Sequence, residues 1–292
     1  MQNAHIARAG NVSTPTVSVT FDNLGEAAEL ELGLWPAAQA LGSHASVVEA
    51  LPRLLELLSS LSLSATFFVE GLNAELYPEA LRGIAARGHE VAAHAWRHEE
   101  WGSLDRDSET RLLRRATQAL ERAGVAPSGF RPPGGRLTAE TPALLAANGY
   151  RYASPAGRRQ GVLGGLPMLP FRWPLVDAYS FLPQFAGLRE RLRGSAEPVG
   201  PEEMSHFMRS ELAQHAEQDG HLALLFHPFA VAGTGEPGWA ALEEVLTAAL
   251  EMERAGRIGL MRMDEAAQWM LDRPGEFGHE PQLDDATWMA RT

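Results

Sequence analysis

Cysteine is absent from the 292 residues. That excludes a disulfide framework and a thiolate zinc cage, so any metal must be held by histidine, carboxylate or amide groups. Long apolar runs are missing as well, and no segment reaches the roughly 20 residues needed to span a bilayer. The amino terminus, Met1-Gln2-Asn3-Ala4-His5-Ile6-Ala7-Arg8, lacks the basic start and apolar stretch of a secretory signal. These absences lead to an expectation of cytoplasmic residence with no membrane partner. Basic charge is scarce: 25 Lys and Arg stand against 37 Asp and Glu, a formal net charge of -12. Such a field disfavours nucleic acid as a partner, and no basic cluster stands out beyond Arg114-Arg115 and Arg158-Arg159. Nothing in the composition sets the oligomeric state.

What the chain has is an even supply of apolar residues, 45% of the total, enough for a single large core. Strand and helix patterns alternate along it. Val17 to Phe21 reads as a buried strand that stops at Asp22, and a long loop from Gly25 to Gly42 leads to a helix over Val47 to Leu61. Strand Ala65 to Val69, helix Tyr77 to Arg87 and strand Glu90 to Ala93 follow, the last ending at His94. Helix Ser108 to Ala123, strand Gly129 to Arg131, helix Ala139 to Asn148 and strand Tyr150 to Ala153 keep the rhythm, with Gly124 and Gly149 as helix stops. Pro155 to Pro170 reads as a surface loop rich in Gly and Pro, followed by strand Phe171 to Tyr179. Helix Glu202 to Glu217, strand Leu222 to Phe226, helix Trp239 to Ala255 and a strand near Ile258 to Met261 complete the pattern. Residues 1-272 are assigned to one α/β domain and 273-292 to a C-terminal tail. Repeated strand and helix units imply a parallel sheet, either doubly wound or closed into a barrel. Asp22, His94, Arg131 and His227 all fall at carboxyl ends of expected strands, where barrel enzymes gather their reactive groups, and this favours a barrel.

The chemistry-bearing residues lie in four segments: Thr20-Phe21-Asp22-Asn23, His94-Ala95-Trp96-Arg97-His98, Arg131-Pro132-Pro133-Gly134-Gly135 and Phe226-His227-Pro228. In a strand, His94 and His98 would lie about 13 Å apart, too far to share a metal. The pair therefore requires a helical turn to bring both rings to one face. In isolation the same spacing describes a solvated helix face, Asp22-Asn23 a turn or cap pair, and the Arg-Pro-Pro-Gly-Gly run an exposed loop. Amide hydrolysis needs an activated water, charge stabilisation and a proton for the leaving amine. A carboxylate, two imidazoles, a guanidinium and a strand-end histidine supply groups of those kinds.

In this order the segments resemble the polysaccharide deacetylase (NodB homology) superfamily, which includes the carbohydrate esterase family 4 and an allantoinase-like branch, over about residues 14 to 265. The resemblance implies a distorted, incomplete (β/α) barrel that hydrolyses a non-peptide C-N bond of a glycan or small-molecule amide. It implies Asp22 as general base, His227 as general acid, and Arg131 as the partner that keeps Asp22 ionised and aimed. Asp177 falls where relatives place a carboxylate that bonds this histidine. The resemblance also implies a divalent metal, Zn²⁺ above all, on His94, His98 and position 23. Asn23 stands where the family has a second aspartate, so the third ligand is neutral. Glu26 offers a replacement carboxylate, and a metal-independent ureide or formamide hydrolase stays open beside the metal enzyme, as does a barrel that binds carbohydrate without cleaving it. Ala95 and Glu99 replace residues that steady the histidine loop in many relatives, and His89 matches a structural histidine. Trp96, Trp101, Pro133, Gly134, Trp173 and Leu225 are expected around the pocket, with Trp96, Pro133, Gly134 and Trp173 taken as substrate contacts.

Overall fold

The computed structural model describes residues 14–284. Its strands are β1 (Thr16–Asp22), β2 (Thr66–Val69), β3 (Glu90–Ala93), β4 (Gly129–Phe130), β5 (Tyr152–Ala153), β6 (Gly157–Arg159), β7 (Gly161–Leu163), β8 (Leu166–Met168), β9 (Phe171–Val176), β10 (His221–Phe226), β11 (Gly259–Leu260) and β12 (Gln282–Leu283). The main sheet runs β7-β8-β5-β4-β3-β2-β1-β10-β9, with β11 added to β1. Every pairing in it is parallel except β7 with β8.

The sheet curls until its two sides almost meet. Beyond β5, an isolated parallel bridge joins Ala156 to Phe171 at the start of β9, and the register of β9 against β10 slips between Ala223 and Leu225. These two irregularities make the barrel distorted and incomplete, as the sequence implies. Alternation along the strands then sorts side chains into two layers. Val17, Val19, Phe21, Phe67, Val69, Val91 and Ala93 pack outward against the helices. Phe68, Ala92, Tyr152, Phe171, Trp173, Ala223 and Leu225 fill the interior, so the barrel is a packed core with its site at one end. Thr20 and Asp22 share the inner face of β1, since they lie two residues apart.

Several expectations need correction. The proposed loop Pro155 to Pro170 contains β6 and the β7–β8 hairpin, whose turn is Gly164-Gly165 with both φ angles positive, at 60° and 83°, the conformation that tight hairpins require. The strand from Phe171 ends at Val176, and Asp177–Phe181 is a short helix. Helices Gly71–Leu76, Ala186–Arg193 and Met263–Leu271 escape the periodicity argument. Residues 273–284, assigned to the tail, hold the helix Pro274–Phe277 and β12. Phe277 is buried against Trp269, and β12 pairs with β6; the rest of that tail lies outside the described residues. Among the described residues no helix is long and apolar enough to cross a membrane.

At the amino end of the barrel, the buried Glu90 staples four elements. Its carboxylate accepts hydrogen bonds from Thr66, Ser128, Tyr152 and the backbone N–H of Asp264, at 2.9 to 3.1 Å. Burial nevertheless outweighs these donors and lifts its pKa to about 7. Glu70, just after β2, is raised to about 8 by burial in the same way. Both carboxyls stay protonated in the folded chain at pH values where the unfolded chain has released the proton. Their contribution is therefore full below the ordinary value of 4.5 and is lost as pH rises toward about 7 and 8 respectively. Urea unfolding is expected to show stability falling across that window, and Glu90→Gln is expected to make the fall shallower.

Candidate active site

One strand after another delivers a polar residue to the carboxyl end of the barrel. Asp22 ends β1, Glu70 follows β2, His94 follows β3, Arg131 follows β4, Ser154 follows β5, Asp177 follows β9 and His227 follows β10. Asp22, Asn23, His94, His98, Arg131 and His227 line one cavity of about 160 Å³, walled by Phe171, Trp173, Leu225 and Phe229. A larger cleft of about 710 Å³, lined by Arg158, Arg172, His215 and His221, contains none of these groups.

Arg131 organises one wall. It is buried, with its guanidinium carbon 3.9 Å from the Phe68 ring centroid. Nη1 donates to Asp22 Oδ1 at 2.7 Å and to Thr20 Oγ1 at 2.9 Å, while Nε and Nη2 both reach Ser154 Oγ. With every nitrogen hydrogen-bonded in a dry site, the guanidinium holds the adjacent carboxylate in place. On the opposite wall, Asp177 is completely buried. Its carboxylate accepts from His227 Nδ1 at 2.6 Å and from the His227 and Ala178 backbone N–H groups at 2.7 and 2.6 Å. With the proton on Nδ1 facing Asp177, Nε2 is the ring atom left for the cavity.

The histidine pair arrives differently from expectation. His94-Ala95-Trp96-Arg97-His98 is a tight turn and not a turn of α-helix, with Ala95 and His98 in the left-handed region at φ 60° and 72°. The reversal still brings the rings together, with centroids 5.0 Å apart. Glu99 steadies the turn by accepting the Trp96 and Arg97 backbone N–H groups at 3.1 and 3.0 Å. It thus supplies the bracing that the sequence comparison suggested was missing. His94 Nδ1 donates to the Arg131 carbonyl at 2.8 Å, which turns Nε2 toward Asp22 Oδ2, 3.9 Å away. Burial lowers the pKa of His94 to about 3 and drives that of His98 well below its ordinary value. Both rings are therefore neutral, the form that binds a metal.

Among the described residues, no three His, Cys, Asp or Glu side chains are grouped as a metal site. Asn23 lines the same cavity as the two imidazoles and could supply a third donor. That residue sits in the left-handed region at φ 57°, which Asn adopts more readily than most residues. Its side-chain oxygen is buried and has no hydrogen-bond partner, as expected of a donor meant for an ion. Two neutral imidazoles and this amide oxygen fit a weakly held divalent cation. Glu26 does not replace the missing carboxylate, because it is bound to Tyr77 Oη and Gly42 N–H, each at 2.6 Å, and lies outside the cavity lining.

Other assignments divide. Gly134, Trp173 and Leu225 line the cavity, whereas Pro133 does not. Trp96 packs against Gly71 beneath the Arg115 guanidinium, and Trp101 against Phe130; both are buried core residues. His89 accepts the Ala65 N–H and packs on Phe67, a structural role. Sequence reasoning missed Ser154, although it ends a strand like its neighbours. It also missed Glu29, on the short helix Ala27–Glu31 inside the segment read as a long loop, and His44 beyond it.

Comparison with known proteins agrees with the fold. A sequence model of the family described as Polysaccharide deacetylase matches residues 9–153, and a crystal structure from Mycobacterium smegmatis, provisionally assigned as a polysaccharide deacetylase, is 27% identical with a TM-score of 0.75 over 98% of both chains. The chain belongs to the polysaccharide deacetylase superfamily. Other members of this superfamily that it resembles are a Helicobacter pylori peptidoglycan deacetylase, 32% identical over 35% of each chain, and a Bacillus cereus peptidoglycan-N-acetylglucosamine deacetylase, 33% identical over 31% of this chain and 33% of that one. The match thus spans about a third of the length of these curated relatives. The PuuE allantoinase shares the fold, with 17% identity and a TM-score of 0.68 over 93% of this chain and 94% of that one. The family-model match stops before Asp177 and His227.

If position 23 is the weak point of the cation site, Asn23→Asp adds one anionic donor without changing the backbone preference. Zn²⁺ affinity, measured by competition with a chelating dye, is expected to rise at least about tenfold, or roughly 1.4 kcal/mol. An unchanged affinity would show that Asn23 is not a ligand.

Proposed function

We propose that the protein hydrolyses a non-peptide C-N bond, removing a small acyl group from an amide. The observation that carries this reading is the pairing across one cavity of Asp22, fixed by Arg131, with His227, fixed by Asp177. Asp22, held by the guanidinium, accepts the proton of the attacking water. His227 presents Nε2 to the departing nitrogen and delivers a proton to it, while Asp177 offsets the positive charge on the ring. Asn23, His94 and His98 would hold a divalent cation, which when bound supplies Lewis acidity toward the carbonyl and the water. The apolar walls exclude bulk water and strengthen each charge interaction inside. The relatives' printed names favour an N-acetylated sugar as the amide. A second reading, hydrolysis that needs no metal, is favoured by the neutral donor at position 23.

The test is acetate release from chitooligosaccharides and from small N-acetyl amides, before and after chelation. Asp22→Asn and His227→Ala are each expected to lower turnover about 100-fold or more while leaving the folded circular dichroism spectrum intact. Full turnover by both variants would overturn the assignment. Activity that survives exhaustive chelation would select the metal-free reading.

A further inference from the structure

In the same cavity as the hydrolytic groups, the segment between β1 and the helix Leu51–Ser60 places a second pair, Glu29 on the short helix Ala27–Glu31 and His44 on the loop that follows it. The loop exposes Leu34 and Leu41, yet it holds His44 rigidly. Tyr77 Oη accepts the His44 backbone N–H at 2.8 Å and donates in turn to the buried Glu26, which also accepts Gly42 N–H. The imidazole stacks on Trp35, with centroids 5.5 Å apart.

The hydrogen bonds also decide the tautomer. The Ser46 backbone N–H donates to His44 Nδ1 at 3.1 Å. Ser46 Oγ, which accepts Gly25 N–H, lies 2.7 Å from the same nitrogen and donates to it. Nδ1 is therefore an acceptor twice over, and the proton of the neutral ring resides on Nε2. That N–H lies 3.4 Å from Glu29 Oε1, long for a hydrogen bond between them, and the Glu29 side chain is 42% exposed. A donor and an anionic acceptor thus stand side by side, each with capacity left for a ligand.

We propose that Glu29 and His44 determine substrate specificity by binding the edge of a second amide or ureido group, its carbonyl accepting from His44 Nε2 and its N–H donating to Glu29. The proposal rests on the hydrolytic reading and narrows the substrate to a compact molecule with two amide-like groups. A site that pairs an N–H rejects an analogue lacking it, because the ligand then covers the Glu29 carboxylate without offering it a donor.

The probes are N-acetylglycinamide and N-acetylglycine dimethylamide, which share a carbonyl but differ in the N–H. Saturation-transfer NMR titration reads binding, and the acetate methyl signal in the same samples reads hydrolysis. The wild-type protein is expected to bind the primary amide at least about tenfold more tightly. Glu29→Ala should bind both probes alike with an unchanged melting temperature, and His44→Phe should weaken both by a similar factor. Equal binding of the probes by the wild type, no binding of either, or discrimination retained in Glu29→Ala would overturn the proposal. Discrimination without acetate release would support the pair's role and count against hydrolysis.

Discussion

A single buried cation, Arg131, holds the reactive end of this barrel together. Removing a guanidinium and a carboxylate from water costs several kcal/mol per ion, and their attraction offsets this only when the remaining polar atoms are also satisfied. Here they are: Asp22, Thr20 and Ser154 accept from the guanidinium, Phe68 lies against its face, and its own carbonyl accepts from His94. The strands β1, β3, β4 and β5 are thereby tied at their carboxyl ends by one residue, its side chain reaching β1 and β5 and its carbonyl reaching His94 after β3. The orientations of Asp22 and of His94 both follow from it.

The second constraint is backbone conformation. Asn23, Ala95 and His98 all have positive φ, which costs most residues of order 1 kcal/mol or more. All three lie in the turns that leave β1 and β3, where the chain must reverse within a few residues to aim side chains back over the barrel. The Glu99 carboxylate helps offset that cost by binding two backbone N–H groups of the histidine turn. The site is thus made by strained turns on a rigid barrel, a common division between scaffold and function.

Much of this was legible in the sequence because strand ends are. Asp22, His94, Arg131 and His227 each follow an apolar run, and a parallel barrel brings all such ends to one rim. Asp177 was reachable only through the resemblance, since the strand pattern alone would have run on to Tyr179. What periodicity could not show was direction after a strand stops. Trp96, expected at the pocket, is buried in the core after the turn at Ala95. Glu26, by its spacing a spare ligand, is consumed by Tyr77 and the loop backbone. Glu29 and His44 were invisible because their positions depend on hydrogen bonds between distant segments, not on local pattern.

Asp22 and His227 line one cavity, and the proposed amide hydrolysis requires a tetrahedral intermediate to fit between them. A crystal structure grown with Zn²⁺ and methylphosphonate, with anomalous scattering to locate the metal, tests it directly. The phosphonate is expected between Asp22 and His227 Nε2, with zinc on His94, His98 and Asn23. Phosphonate bound only in the larger cleft near Arg158 and Arg172, or Asp22 and His227 turned to separate cavities, would contradict it.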